Sequence, residues 1–215
     1  MSNHLFINEI FFSIQGESTY AGELCAFVRL GRCDLRCSWC DTEYAFHEGV
    51  EMSISEIEAA VRSYPADLVE ITGGEPLLQA NVHLLVDRLI QDGKRVLIET
   101  GGHRDISEVH PNSTLIYDIK CPDSGMSHRN CWANIPLLRE QDQIKFVIAS
   151  RKDYEWAKGR IEEHDLRSGH EVLFSPVWDS LDPKDLAEWI LKDGLKVRMQ
   201  VQIHKILWGS DARGV

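Results

Sequence analysis

The sequence has no long hydrophobic run. No stretch approaches the roughly 20 apolar residues that a bilayer span requires, so no membrane partner is expected. The N-terminal stretch MSNHLFINEIFFSIQGE lacks a basic segment followed by an apolar one, and no secretory signal is read there. Cysteine, at six in 215 residues, is too sparse for a disulfide scaffold. Basic residues are outnumbered 23 to 34, and the net charge of −11 argues against a surface that tracks nucleic-acid phosphates. Internal repeats, low-complexity segments and Pro/Gly/Ser-rich linkers are also lacking, so nothing marks a domain boundary. These absences leave an ordinary globular chain, expected in the cytoplasm, whose reduced thiols point to metal or catalysis.

What is present is a repeated alternation. The length suits one domain over 1–215, and 43% apolar residues supply a sizeable core. Short β-rich runs at 26–30, 68–72, 96–100, 114–120, 144–149, 171–174 and 197–201 read as strands, mostly continuous rather than alternating. Helical patterns lie between them. "SISEIEAAVRSY" opens with a candidate capping box, Ser53 with Glu56, "NVHLLVDRLIQDG" stops at Gly93, and "DPKDLAEWILKDG" stops at Gly194. Strand–helix alternation implies parallel strands joined by right-handed crossovers, an α/β fold. Six or seven units are too few for a complete eight-fold barrel. An incomplete barrel and an open doubly wound sheet both satisfy the pattern, and either puts the ligand site at the carboxyl ends of the strands.

The loop after the first of these runs, "GRCDLRCSWCDT", holds half of the cysteines: Cys33, Cys37 and Cys40, spaced C-x3-C-x2-C. Zinc sites and iron–sulfur clusters normally draw on four protein ligands. A structural zinc site would complete the set with His47 or another cysteine, but zinc knuckles come as two close pairs and the second pair is missing. Cys25 reads as a core residue, and Cys121 and Cys131 as unligated thiols whose polar loop, Pro122 to Asn134, is expected to cover the site. Three thiolates on a four-iron cluster leave one iron open to an exogenous amine and carboxylate, and the spacing favours that reading over zinc.

This cysteine loop, with Trp39 before its last cysteine, resembles the cluster loop of radical S-adenosylmethionine enzymes, and "ITGGEP" resembles their Gly-Gly-Glu-Pro loop. Within that superfamily, "FFSIQGESTYAGELCAFVRLGRCDLRCSWCDT", "ITGGEPLLQ", "LIETGG", "QIKFVI", "FSPVWD" and "VQIHK" resemble, in order and over nearly the whole chain, the 7-carboxy-7-deazaguanine synthase family. The resemblance implies an incomplete TIM-like barrel of about six parallel strands in a single domain. It implies a [4Fe-4S] cluster, S-adenosylmethionine and Mg2+ as cofactors. The implied reaction removes a hydrogen atom from 6-carboxy-5,6,7,8-tetrahydropterin by a 5′-deoxyadenosyl radical. Ring contraction with loss of ammonia then gives 7-carboxy-7-deazaguanine, a queuosine precursor, and the cofactor is regenerated. A flavodoxin or ferredoxin as electron donor and a homodimer are implied as well.

The same resemblance distributes roles. Cys33, Cys37 and Cys40 would hold the cluster, and Thr42 would ligate Mg2+ together with water and the substrate carboxylate, since one hydroxyl cannot hold the ion alone. Trp39, Cys40, Asp41, Gly74, Glu75, Thr100, Asp118, Ile119 and Lys120 would meet S-adenosylmethionine. Glycines admit close backbone approach there, and Glu75 can accept from an ammonium. Many relatives carry Ser-Pro-Lys where this chain has Asp118-Ile119-Lys120, so only the lysine carries over directly. Ile14, Gln15, Gly16, Glu17, Arg29, Thr72 and His204 would meet the pterin. Arg29 suits its carboxylate through a bidentate grip, and His204 is a candidate for proton transfer. Gln202 lies in the same C-terminal segment, while the tail after Lys205 matches nothing. Two other classes share parts of the pattern: a glycyl-radical activase, which would lack the pterin-facing set, and a zinc-stabilised binding module.

Overall fold

The runs read as buried strands pair with one another in sequence. The computed structural model describes residues 3–215. Its elements are β1 (His4–Ile14), β2 (Leu24–Leu30), β3 (Val50–Ser53), α1 (Ile54–Arg62), β4 (Leu68–Gly73), α2 (Val82–Gln91) and β5 (Arg95–Thr100). They continue with β6 (Thr114–Ile119), β7 (Gln143–Ile148), α3 (Arg151–Glu163), β8 (Glu171–Pro176), α4 (Pro183–Asp193), β9 (Arg198–Met199) and α5 (Ile203–Trp208). One sheet holds the strands in the order β3-β1-β2-β4-β5-β6-β7-β8-β9. From β2 to β9 every neighbouring pair is parallel, whereas β1 runs antiparallel to β2 and β3.

The parallel strands follow chain order without a reversal. Successive right-handed crossovers therefore wind one way and put their helices on one face, whereas a doubly wound sheet reverses at a switch point. This decides between the two sequence readings. The fold is an incomplete, TIM-like barrel, its sheet ending at β3 and β9 rather than closing. On the helix side, residues such as Val28, Ile71, Ile98 and Phe146 pack against Ile57, Leu85, Tyr154 and Leu186 in the main core. The expected capping box starts α1: Glu56 N–H donates to Ser53 Oγ at 3.3 Å and Ser53 N–H to Glu56 Oε2 at 2.7 Å.

Some elements were not expected. In β1 the pairing register shifts between Ile7 and Glu9. Leu5 and Ile7 therefore join the helix-side core, while Phe11 packs with Phe27 on the opposite face. Such a bulge breaks the period of two by which a strand is read. The polar helix α3 buries only Asp153, Tyr154, Ala157 and Ile161, too thin an apolar stripe to signal a helix. The last expected strand shrinks to two residues, and 3-10 turns between Pro122 and Leu137 replace a helix between β6 and β7. No helix among the described residues is long and apolar enough to cross a membrane.

Candidate active site

On the face of the sheet away from the helices the strands carry more than the small apolar cluster of Phe11, Cys25, Phe27, Leu68 and Leu97. Arg29 on β2, Glu70 and Thr72 on β4, Glu99 on β5, Asp118 on β6 and Lys145 on β7 line a cavity of about 710 Å³. Strands that read as continuous apolar runs thus carry charges at alternate positions. A buried charge is costly unless paired, so this part of the face belongs to a site rather than to a core.

Cys33, Cys37 and Cys40 line the same cavity, all as free thiols. Burial pushes the Cys33 thiol up to about 11 and raises that of Cys37. These two thiols therefore hold protons that a metal must displace. Ser38 ties the loop to the turn after β6, donating from N–H to Ser124 O at 3.1 Å and from Oγ to Asp123 O at 2.7 Å. Trp39, Asp41 and Thr42 also line the cavity, with Thr42 Oγ1 3.7 Å from Cys40 Sγ. Among the described residues no three His, Cys, Asp or Glu side chains converge where a single ion would sit. Three thiols lining one cavity fit a four-iron cluster, on which each thiolate takes its own iron.

The Gly-Gly-Glu-Pro loop leaves β4 directly beneath this loop. A Cβ on Gly74 would lie 2.0 Å from Arg32 O, and one on Gly73, whose φ is +118°, would lie 2.2 Å from Leu30 O. The glycines admit the start of the cysteine loop, which is bonded through Gly74 N–H to Leu30 O at 2.8 Å and Glu75 N–H to Arg32 O at 3.0 Å. Glu75 is buried, and its carboxylate accepts from Leu77 N–H at 3.0 Å, Thr100 Oγ1 at 2.9 Å and Gly101 N–H at 2.8 Å. Glu75 and Thr100 both line the cavity, yet each spends its side chain on the other. Lys120 pairs with Asp118 Oδ2 at 2.8 Å. Burial acts against the Lys120 ammonium, but Asp118 and Cys37 together outweigh it and raise its pKa. Asp118 Oδ1 is left buried without a hydrogen bond on the cavity wall, a free acceptor that fits a cofactor bearing hydroxyl and ammonium donors. Ile119 is placed differently: its side chain is buried in the helix-side core and does not line the cavity.

Ile14, the last residue of β1, lines the cavity together with Gln15, Gly16 and Glu17 in the turn that follows. Gln15 accepts from Glu17 N–H at 3.0 Å and donates through Nε2 to Glu70. Glu17 pairs with Lys145 at 2.7 Å and accepts from Gln202 at 2.9 Å. Lys145 also pairs with Glu99 at 2.6 Å, and Glu99 accepts from Thr72 Oγ1 at 3.0 Å. Burial acts against the Lys145 ammonium, but Glu17 and Glu99 hold it well above the usual lysine range. Glu70 has no such cation: burial, then the nearby Glu99 and Glu17, push its carboxyl well above the usual range. Arg29 donates from Nε to Glu9 at 2.7 Å.

The C-terminal segment meets the turn after β1. Ile203 N–H donates to Gly16 O at 3.1 Å, and a Cβ on Gly16 would lie 2.3 Å from His204 Nδ1. Burial lowers the His204 pKa, leaving a neutral imidazole near pH 7. Lys205 pairs with Asp41 at 2.8 Å, joining α5 to the cysteine loop. The tail 210–215, for which the sequence suggested no role, lines the cavity. The Arg213 guanidinium sits 3.7 Å above the Tyr44 ring. Sequence reasoning thus missed Glu70, Glu99, Lys145, Lys205 and Arg213. The signal for the first three was a charge inside a buried parallel strand.

The comparisons with known proteins agree with this geometry. Residues 28–110 match the Radical SAM superfamily. The 7-carboxy-7-deazaguanine synthase of Chlorobaculum tepidum is 48% identical over 98% of this chain and 97% of its own length. That of Koribacter versatilis is 44% identical over 97% of this chain and 99% of its own. Among solved structures, QueE from Escherichia coli superposes with a TM-score of 0.79 at 22% identity, covering 93% of this chain and 94% of that one, a likeness of fold. A cysteine loop on the inner rim of an incomplete barrel and full-length relatives of one name lead to one conclusion. The chain belongs to the 7-carboxy-7-deazaguanine synthase family of radical S-adenosylmethionine enzymes.

Proposed function

We propose that this chain, read as one domain over 1–215, converts 6-carboxy-5,6,7,8-tetrahydropterin to 7-carboxy-7-deazaguanine with loss of ammonia. Cys33, Cys37 and Cys40 hold the [4Fe-4S] cluster, and the wall formed by Trp39, Asp41, Gly74, Asp118 and Lys120 receives S-adenosylmethionine. When bound, the reduced cluster and S-adenosylmethionine supply the hydrogen-abstracting radical, and the hard chemistry is theirs. The protein supplies placement. The observation that carries the reading is that one cavity is lined both by the three thiols and by Arg29 with the Glu17–Lys145–Glu99 group.

Each residue has a task that follows from its position. Arg29, fixed through Nε by Glu9, turns its remaining guanidinium N–H groups to the substrate carboxylate. The carboxyl-rich floor accepts from the N–H groups on the pyrimidine edge of a pterin. Thr42 offers one oxygen to Mg2+, which takes its other ligands from water and the substrate carboxylate. His204, neutral near pH 7, is able to hold a proton beside the Gly16 backbone. The enzyme works in the cytoplasm as a homodimer reduced by a flavodoxin or ferredoxin. The test is anaerobic reconstitution with S-adenosylmethionine, reductant, Mg2+ and the carboxylated tetrahydropterin, followed by mass spectrometry. Many turnovers of the deazapurine without matching 5′-deoxyadenosine support the reading. Cofactor cleavage with no deazapurine overturns the substrate assignment.

A further inference from the structure

The segment between Cys33 and Cys37 carries one carboxylate, Asp34, and two other loops converge on it. Asp34 Oδ1 lies 2.7 Å from His103 Nε2. Asp34 Oδ2 accepts from Arg104 at 2.7 Å and from Arg129 at 3.0 Å. His103 and Arg104 follow β5, and Arg129 follows β6. The His103 side chain is only 1% exposed. Its other ring nitrogen, Nδ1, has no hydrogen bond and faces Glu75 Oε2 at 3.8 Å. The neighbouring Leu35 is buried, and its Cδ1 lies 2.9 Å from where a Cβ on Gly101 would sit.

None of Asp34, His103, Arg104 and Arg129 lines the cavity, so none touches substrate. Exposed ion pairs contribute little on their own. Here three donors share one carboxylate and one of them is buried, the arrangement in which charge-assisted bonds set geometry. A short loop presenting three thiols has no regular secondary structure of its own and must be ordered by its neighbours. Outer partners that orient ligands are worth as much to a metal site as the ligands' own placement. We propose that Asp34 and His103 are positioning residues that hold the cysteine loop in its ligand-ready conformation by anchoring it to the loop after β5. This rests on the cluster reading above.

The experiment compares wild type, Asp34→Ala, Asp34→Glu and His103→Ala after anaerobic reconstitution. Iron and sulfide per chain, the rate of iron release to a chelator, and the electron paramagnetic resonance of the reduced cluster are read, together with apo-chain melting. Asp34→Ala and His103→Ala are expected to release iron at least roughly tenfold faster, with apo melting within a few degrees of wild type. Asp34→Glu is expected to restore part of the retention. Release at the wild-type rate with an unchanged resonance overturns the inference while leaving the cluster in place. A large drop in apo melting replaces the positioning role with a folding role. Wild type that takes up neither iron nor sulfide removes the cluster reading itself.

Discussion

Lys145 Nζ lies 2.7 Å from Glu17 Oε2, joining the turn after β1 to the middle of the parallel sheet. Lys145 also reaches Glu99 at 2.6 Å, so one ammonium serves two carboxylates, with Glu70 close behind them. Replacing it with Met keeps the stem and removes the charge. Breaking a buried pair by deleting one partner costs about 3–5 kcal/mol, because the abandoned carboxylates stay buried. Lys145→Met should therefore lower the urea midpoint sharply at pH 7, and the loss should shrink as acid protonates Glu99. An unchanged midpoint would show that water already carries those charges.

Much of this was legible in the sequence, and the rest was hidden for physical reasons. The central strands announced themselves because apolar side chains fill their helix-facing positions. The bulge in β1 shifted its register within the same strand, so no single period described it. The helix α3 buries too few apolar residues to show a stripe. In the site, the cysteine spacing and the Gly-Gly-Glu-Pro loop stood out because such clusters are rare. Lys145, Glu70 and Glu99 each looked like one charge in an apolar run. Only the lateral pairing of strands distant in sequence brings them together. Glu75 carries a bond that its type did not announce: on the cavity wall its carboxylate also braces Thr100 and Gly101 at the end of β5.

Arg29 separates binding from cluster assembly. Its guanidinium lies on the cavity wall, bonded through Nε to Glu9 and 5.6 Å from the Phe11 ring centroid. No cysteine depends on it for a hydrogen bond among those described. Hydrogen bonds to charged groups contribute about 1.5–3 kcal/mol each, and one such bond corresponds to roughly 10- to 150-fold in affinity. Arg29→Ala should keep wild-type iron content and S-adenosylmethionine cleavage while raising KM for the pterin by at least an order of magnitude. Arg29→Lys should recover only part, since an ammonium cannot grip a carboxylate bidentately. A normal KM in Arg29→Ala would remove it from the carboxylate site.

Glu70 gives the pocket a distinctive dependence on pH. It is fully enclosed on β4, its one side-chain bond runs to the Gln15 amide, and the lysine of the group is taken by Glu17 and Glu99. Burial and the adjacent carboxylates raise its pKa in the fold well above its ordinary 4.5. The folded state thus binds this proton more tightly than the unfolded chain. The resulting stabilisation is complete below pH 4.5 and is lost as pH rises through the higher folded pKa. Glu70→Gln keeps the shape and an acceptor for Gln15 but carries no proton to lose. Its melting temperature relative to wild type should therefore climb with pH between 5 and 9, since groups common to both chains cancel in the difference. A difference that stays flat, or falls, would mean that Glu70 is ionised in the fold and that Lys145 is shared three ways.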